Sequence, residues 1–478
     1  MRLFYLAVCV LTCLRATAQE APPITDQLLT WGELLQDQQN VGHYSITSRQ
    51  DERQKNAIFT VSLYSSNLQP VGEKTYPPGE DTDVQDVAYN GTHLGVLIHD
   101  VAGKRSRVEV LDQSARTVAT YPLQGQTLKT SGELYATPDG FVVVNSFPIQ
   151  PGSAVSNTNY VVEKVVTQGD NKGWMRRYGS PAASSTDIRL AVAALDEEVL
   201  LLRVWDLVTK TFSRRVQSAV YALDLTTGAD RFGEIVETQR AAEAPTFIGA
   251  ARVGTGYKLL RLHPARQEKR VTIPPTLDIL TYQADRLVDT KSVDLPAAVG
   301  AKLREQGLSP LPPQVEFVYR VGLITPTGAF SLVLEPFTTQ RRNVMYTSPY
   351  AVAFDAAGHL LDLVVLRHQN FVLPTTLTNP QQLNTLRMYD GPFNHALSHQ
   401  LGPRNFHYVL DRSFAKDGVT YLGINATVFN GEGFVTEYIP LKDTDYLRLY
   451  PAREGYLCVL EPKFGEGKIV PRLEKLNY

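Results

Sequence analysis

The sequence predicts an all-β protein folded as a single β-propeller, and three observations carry that prediction. A strand–turn–strand frame recurs along most of the chain. The run after the turn is apolar at every position instead of alternating. No stretch rich in Pro, Gly and Ser divides the chain into separate units. The frame appears as VAYNGTHLGVLI (87–98), LYATPDGFVVV (134–144), AARVGTGYKLL (250–260) and LITPTGAFSLV (323–333). It returns as VAFDAAGHLL (352–361), FAKDGVTYL (414–422) and LYPAREGYLCV (449–459), with a copy lacking Gly at VAALDEEVLLL (192–202).

Asn, Asp and Gly supply the positive φ that tight hairpins need. A strand apolar at every position is buried on both faces. Strands with alternating pattern follow, such as Arg107–Leu111 and Thr117–Tyr121, and suit half-exposed outer positions. One doubly buried strand per repeat, flanked by outer strands, is the demand of a propeller blade sandwiched between neighbours. Four-stranded groups fall near 84–122, 131–178, 187–237, 246–294, 315–366 and 405–440, and a three-stranded group near 444–475. A strand near 57–64 would complete the last group and close the ring. That makes seven blades over 57–478, with six or eight as alternatives because the turns are unevenly spaced. Tandem β-sandwiches would explain the strands but not the recurring frame.

Insertions near 295–313 and 371–404 interrupt the pattern. The first holds a short helix from Pro296 to Gly307, ended by glycine. The second resembles a helix at Asn379–Met388, with Asn379 as cap and Pro380 at the first position. Before the propeller, 19–56 reads as a tether followed by a short amphipathic helix over Asp26–Gln39, with Leu28, Leu29, Trp31, Leu34 and Leu35 on its apolar side.

Residues 1–18 read as a secretory signal: Arg2, an apolar run from Leu3 to Leu14, and the small-x-small site Ala16-Thr17-Ala18. The expected location is periplasmic or secreted. Cys13 follows Leu11-Thr12, a poor match to a lipidation site. Of the three cysteines only Cys458 lies beyond the signal, so the exported fold holds without an internal disulfide. Cys458 sits in an apolar strand and reads as a buried hydrophobe. With 47 basic and 49 acidic residues, net −2, no global field draws the chain to nucleic acid or anionic lipid. No later apolar run is long enough to span a membrane as a helix.

The repeat frame over 57–478 resembles β-propeller proteins in general, without the Trp-Asp and Gly-His signatures of WD40 repeats or the Gly-Gly pairs of kelch repeats. The leader ending Ala-Thr-Ala-Gln is similar to those of exported Bacteroidota proteins. The resemblance is a pattern, not a motif, so no functional residue carries over from it.

The densest candidate chemistry is His395, His399 and His407. On a helix, His395 and His399 would share one face, and imidazole suits a divalent metal. Ala396 stands where the zinc-protease motif needs Glu, and Gly402-Pro403 breaks the segment before His407. Asp81, Asp83 and Asp86 form an acidic cluster that could attract calcium but lacks the full loop pattern. His99-Asp100 has no nucleophile elbow beside it. Asn90-Gly-Thr92 and Asn425-Ala-Thr427 are formal glycosylation acceptors. Tyr346, Tyr350, Tyr389, Tyr408 and Tyr438 could offer aromatic faces to a sugar or peptide. The expectation is an exported, non-catalytic binding or scaffold protein. It would need no cofactor and engage a protein, peptide or glycan, but not nucleic acid. The alternative is a hydrolase or lyase on polysaccharide using one divalent metal at the three histidines.

Overall fold

The computed structural model describes residues 19–477 outside 21–22, 37–38, 51–56, 77–81, 101–102, 104, 125–130, 149–157, 170–171, 179–185, 211–212, 239–243, 264–265, 269–270, 274, 313–314, 320–321, 341–342, 369–370, 375–394, 416–417, 445–446 and 464–467. The expected signal (1–18) and the expected helix at Asn379–Met388 lie outside the described residues.

Eight antiparallel sheets, each built on four strands, stand around a common axis. Blade 1 comprises Gln27–Gln36, Gln39–Gln50, Ala57–Ser65 and Pro70–Tyr76, in order from the axis outward. Blades 2, 3 and 4 begin at Thr82, Ser131 and Thr186 and end at Pro122, Tyr178 and Thr238. Blade 5 runs from Thr246–Val253 to Arg286–Asp294, and blade 7 from His395–Leu401 to Phe434–Thr444. Blade 6 has Phe330–Gln340 as its long second strand, with Glu316–Tyr319 and Leu323–Ile324 pairing its inner edge. Blade 8 combines Arg448–Pro451, Tyr456–Lys463 and Lys468–Lys475 with Gln19–Glu20 as its outermost strand. Contact between the innermost strands of blades 8 and 1 closes the ring.

The count is eight blades and not seven, because residues 27–76 form a whole blade. The expected helix at Asp26–Gln39 is instead the strand Gln27–Gln36 and the start of the next strand at Gln39. Two bulges, at Leu28/Thr30 and Leu34/Leu35, break its alternation and leave the apolar residues at helix-like intervals. Blade 8 is completed by Gln19–Glu20, with a further bridge from Ile24 to Ile469, and not by the strand near 57–64. Of the 371–404 insertion, His395–Leu401 is the innermost strand of blade 7. Among the described residues there is one helix, Leu295–Glu305. Asp294 caps it, its side chain accepting from the Ala297 amide, and Gly307 follows at φ +67.

The frame recognised in the sequence is mostly the hairpin between a blade's first and second strands. Gly91 at φ +90 makes that turn in blade 2, where Asn90 Oδ1 accepts from the Thr92 and His93 amides. The strand after it, Leu94–Asp100, is buried through His99. In blade 1 a glycine serves a different need: a Cβ on Gly32 would lie 2.4 Å from the Tyr44 ring, so only glycine lets that ring cross the innermost strand. The core is accordingly a series of apolar seams between blades. Val142, Val144, Leu200, Leu202 and Ala219 fill the seam of blades 3 and 4, while Leu201, Val220, Phe247, Leu259 and Leu280 fill that of blades 4 and 5.

Candidate functional site

Antiparallel strands alternate in direction, so each blade puts two kinds of connection at each end of the ring. At one end lie the first-to-second and third-to-fourth connections. These are tight turns, such as 138–139, 196–198, 254–255, 284–285 and 402–403. Carboxylates and carboxamides fasten them: Asp112 Oδ1 accepts from the Ser114 and Arg116 amides, and Asn430 Oδ1 from those of Glu432 and Gly433. At the other end lie the second-to-third connections and the passages between blades. The large excursions among the described residues are there: the hairpin Arg266–Glu268/Val271–Ile273, the helix Leu295–Glu305, and the pairing of Phe371–Pro374 with Asn343–Tyr346. The 12-residue strands Val199–Lys210 and Ser213–Asp224, and Arg404–Ala415 and Gly418–Phe429, also extend toward it. Loops on a rigid scaffold are where recognition concentrates, so this insertion-bearing end is the candidate functional surface.

Polar groups gather in the seams beneath it. Between blades 4 and 5, Arg261 donates to Glu234 at 2.5 Å and to Asp278 at 2.8 Å. His263 Nε2 lies 2.8 Å from the same Asp278 oxygen, Ser292 Oγ donates to the other at 2.6 Å, and Tyr282 donates to Glu234 at 3.0 Å. Burial alone would raise the Asp278 carboxyl, but the bonds from His263, Ser292 and Arg261 outweigh it and hold it well below the usual carboxylate range. Nearer the axis, Arg203 donates from Nη1 to the Phe247 carbonyl at 2.8 Å, and Arg189 lies 5.5 Å over the Trp205 ring. Between blades 6 and 7, Tyr438 donates to Asp411 at 2.9 Å while the Arg367 guanidinium covers the Tyr438 ring at 4.5 Å.

The expected histidine site is arranged otherwise than on a helix. His395 and His399 lie on one strand, interrupted by a bulge between His395 and Leu397. His399 stacks on Phe406 at 4.9 Å, and burial lowers its pKa to about 4. His407 is fully buried, with its ring nitrogens 2.7 Å from Ser398 Oγ and 2.8 Å from Ser331 Oγ. Ser398 and His407 are register partners, so His407 points to one face of the sheet and His399 to the other. Among the described residues no three His, Cys, Asp or Glu side chains are gathered as a metal could use them. His99, also buried, lies 3.1 Å from Ser106 Oγ. Asn425 is buried and donates to the Arg367 and Val409 carbonyls, while Asn90 is half-buried in its turn with its amide nitrogen enclosed. Of the five tyrosines, Tyr350 and Tyr408 are buried and Tyr438 is bonded to Asp411. Tyr389 lies outside the described residues.

Asp86 is on a strand, not in a calcium loop. It accepts from the Leu134 amide (2.7 Å), the Val87 amide (2.9 Å) and the Tyr44 hydroxyl (3.2 Å), donors that suit an anion and not a cation. Burial nevertheless raises its pKa to about 6. On the innermost strand of blade 1, burial raises Glu33 to about 7, with Asn40 acting against it. A carboxyl whose folded pKa is raised loses stability as pH climbs from its ordinary value of 4.5 through about 7. Glu33→Gln is therefore expected to stabilise the fold by about 2 kcal/mol at pH 8 and to change little at pH 4. Thermal unfolding at the two pH values checks this, and an equal effect at both would refute it.

Sequence reasoning passed over Arg203, Trp205 and Glu33. For Arg203 a signal was present: a lone cation interrupts VLLLRVW (199–205), otherwise apolar throughout.

No protein-family model matches the sequence, and no curated protein sequence matches it. Among solved structures, the chain is similar to the Dos1 propeller, with 9% identity and a TM-score of 0.41 over 95% of both chains. It is similar to the β-propeller domain of the trilobed protease from Pyrococcus furiosus, described as having an open velcro topology (7%, TM-score 0.39, 96% of this chain and 97% of that one). It is also similar to an acylaminoacyl peptidase of Pyrococcus horikoshii (8%, TM-score 0.36, 94% of this chain), of which it spans 50%. The strand order itself defines the class: an eight-bladed propeller whose last blade is completed by the N-terminal strand.

Proposed function

We propose that this is an exported, non-catalytic binding propeller that engages a protein or peptide partner through its insertion-bearing end. The difference between the two ends carries the reading. One end is closed by short, internally bonded turns, and the other holds the helix, the extra hairpin and the longest strands. A rigid ring with variable excursions on one side supports recognition without requiring a reacting centre. Export rests on the apolar leader at 1–18.

The test shortens the hairpin of blade 4 by replacing 206–217 with a two-residue Asn-Gly turn. A control variant alters the tight turn 430–433 at the opposite end. Both are assayed for binding to a displayed peptide library and a glycan array. Loss of a wild-type ligand on shortening the hairpin, with retention in the control, is the expected result. Binding unaffected by the hairpin would overturn the assignment of the surface, and glycan binding alone would overturn the class of partner.

A further inference from the structure

Arg203 differs from two other enclosed cations among the described residues. Lys258, buried at 4% exposure, donates to two carbonyls, Gly328 O at 2.7 Å and Ala356 O at 2.8 Å. Arg261 is held between two carboxylates. Arg203 makes one hydrogen bond, from Nη1 to Phe247 O, and has no carboxylate within ion-pairing distance among the described residues. It lies in the seam of blades 4 and 5, partly exposed, and burial lowers its pKa. A cation removed from water without a counter-charge destabilises a fold unless something supplies one. Four of the five guanidinium N–H groups are left for that purpose.

The surroundings define what would fit. Arg203 and Trp205 are two apart on one strand and face the same side. Arg189 and Ala191 are their register partners on the innermost strand. Arg189, the partner of Trp205, lies over its ring. Across the seam, the Phe247 carbonyl of blade 5 takes the one bond that Arg203 makes. Arg203 and Trp205 lie on the part of Val199–Lys210 that leads to the insertion-bearing end, at the base of the hairpin with Ser213–Asp224.

We propose that this seam is an oxyanion subsite that takes a carboxylate from an acidic peptide segment of the partner. The planar fork of Arg203 matches a carboxylate bidentately, and the half-buried Trp205 indole on the same side of the strand offers cover to the aliphatic stem of a Glu side chain. The indole favours such a side chain over a bare inorganic anion. The proposal rests on the binding role of the insertion-bearing end and names the chemistry recognised there.

The test uses the folded protein and a fluorescein-labelled, amide-capped hexaglutamate peptide, with hexaglutamine as control and inorganic phosphate as competitor. Fluorescence anisotropy is expected to show hexaglutamate binding that weakens with salt. Arg203→Met, which keeps the apolar stem and removes the charge, is expected to weaken binding at least tenfold with an unchanged or higher melting temperature. Arg203→Lys, which restores the charge, is expected to recover part of it. Equal binding of the two peptides would overturn the inference, as would an undiminished affinity in Arg203→Met. Displacement by equimolar phosphate would overturn the carboxylate assignment. If Arg203→Met binds as wild type while the shortened hairpin loses its library ligand, the subsite falls and the binding surface stands. If Arg203→Met loses hexaglutamate and the shortened hairpin loses nothing, the subsite stands and the surface falls.

Discussion

Truncating Trp31 to alanine is expected to lower the unfolding free energy by about 3–5 kcal/mol. Trp31 is 2% exposed and belongs to the innermost strand of blade 1. It packs with Tyr64 and Leu68 of its own blade and with Ala452, Cys458, Leu460 and Leu473 of blade 8. Its ring lies 5.1 Å from that of Tyr64 and 5.6 Å from that of His43. The cavity left by truncation would open on the seam where the two ends of the chain meet, and there the neighbouring elements have the least covalent restraint. Urea denaturation should show a lower midpoint at an unchanged slope. A shift below 1 kcal/mol would mean that this seam is not part of the cooperative core. Cys458 in the same cluster has its thiol pushed up to about 12 by burial, so thiol reagents should leave it unmodified while the fold is intact.

The second large effect is expected at His407. Replacing it with leucine removes a partner of Ser398 and of the fully buried Ser331, at a cost of about 2–4 kcal/mol. Asn405 Nδ2 also donates to Ser331 Oγ, at 3.0 Å, so the network ties blade 6 to blade 7 through three side chains. If the cost is that of hydroxyls losing their bonds to His407, adding Ser331→Ala and Ser398→Ala to His407→Leu should recover part of it, Asn405 Nδ2 keeping its bond to the Leu323 carbonyl. Chelation by EDTA is expected to leave the wild-type melting temperature unchanged. A fall on chelation would restore the metal reading of this histidine.

The ring was legible in the sequence because its repeated signal is physical. A tight turn rich in Asn, Asp and Gly precedes a strand that neighbouring blades bury on both sides, as in Leu94–Asp100 and Gly256–His263. Blade 1 escaped notice for two reasons. Bulges displaced Leu28, Trp31, Leu34 and Leu35 from strand spacing. Its second strand also buries His43, Ser45 and Thr47 where other blades bury Leu and Val, so the apolar run that marks a blade is missing. The histidines misled for a related reason. Spacing of i and i+4 serves a helix or one face of a strand equally well, and only the cross-strand pairing of Ser398 with His407 separates His399 from His407. The ion network around Asp278 was invisible because its members come from separate strands, with Glu234 supplied by the neighbouring blade. Arg203 announced itself locally, as a charge inside an apolar run.

That blade 8 unites Gln19–Glu20 with Arg448–Lys475 sets the order of assembly. Its sheet joins positions more than 400 residues apart, the costliest kind of contact to form first. During synthesis Gln19–Glu20 cannot pair until Lys468–Lys475 has been made, and until then blade 1 has a neighbour on one side only. Until the two strands meet, Gln19–Glu20 presents unpaired backbone groups and blade 1 an uncovered apolar face, both open to misassembly.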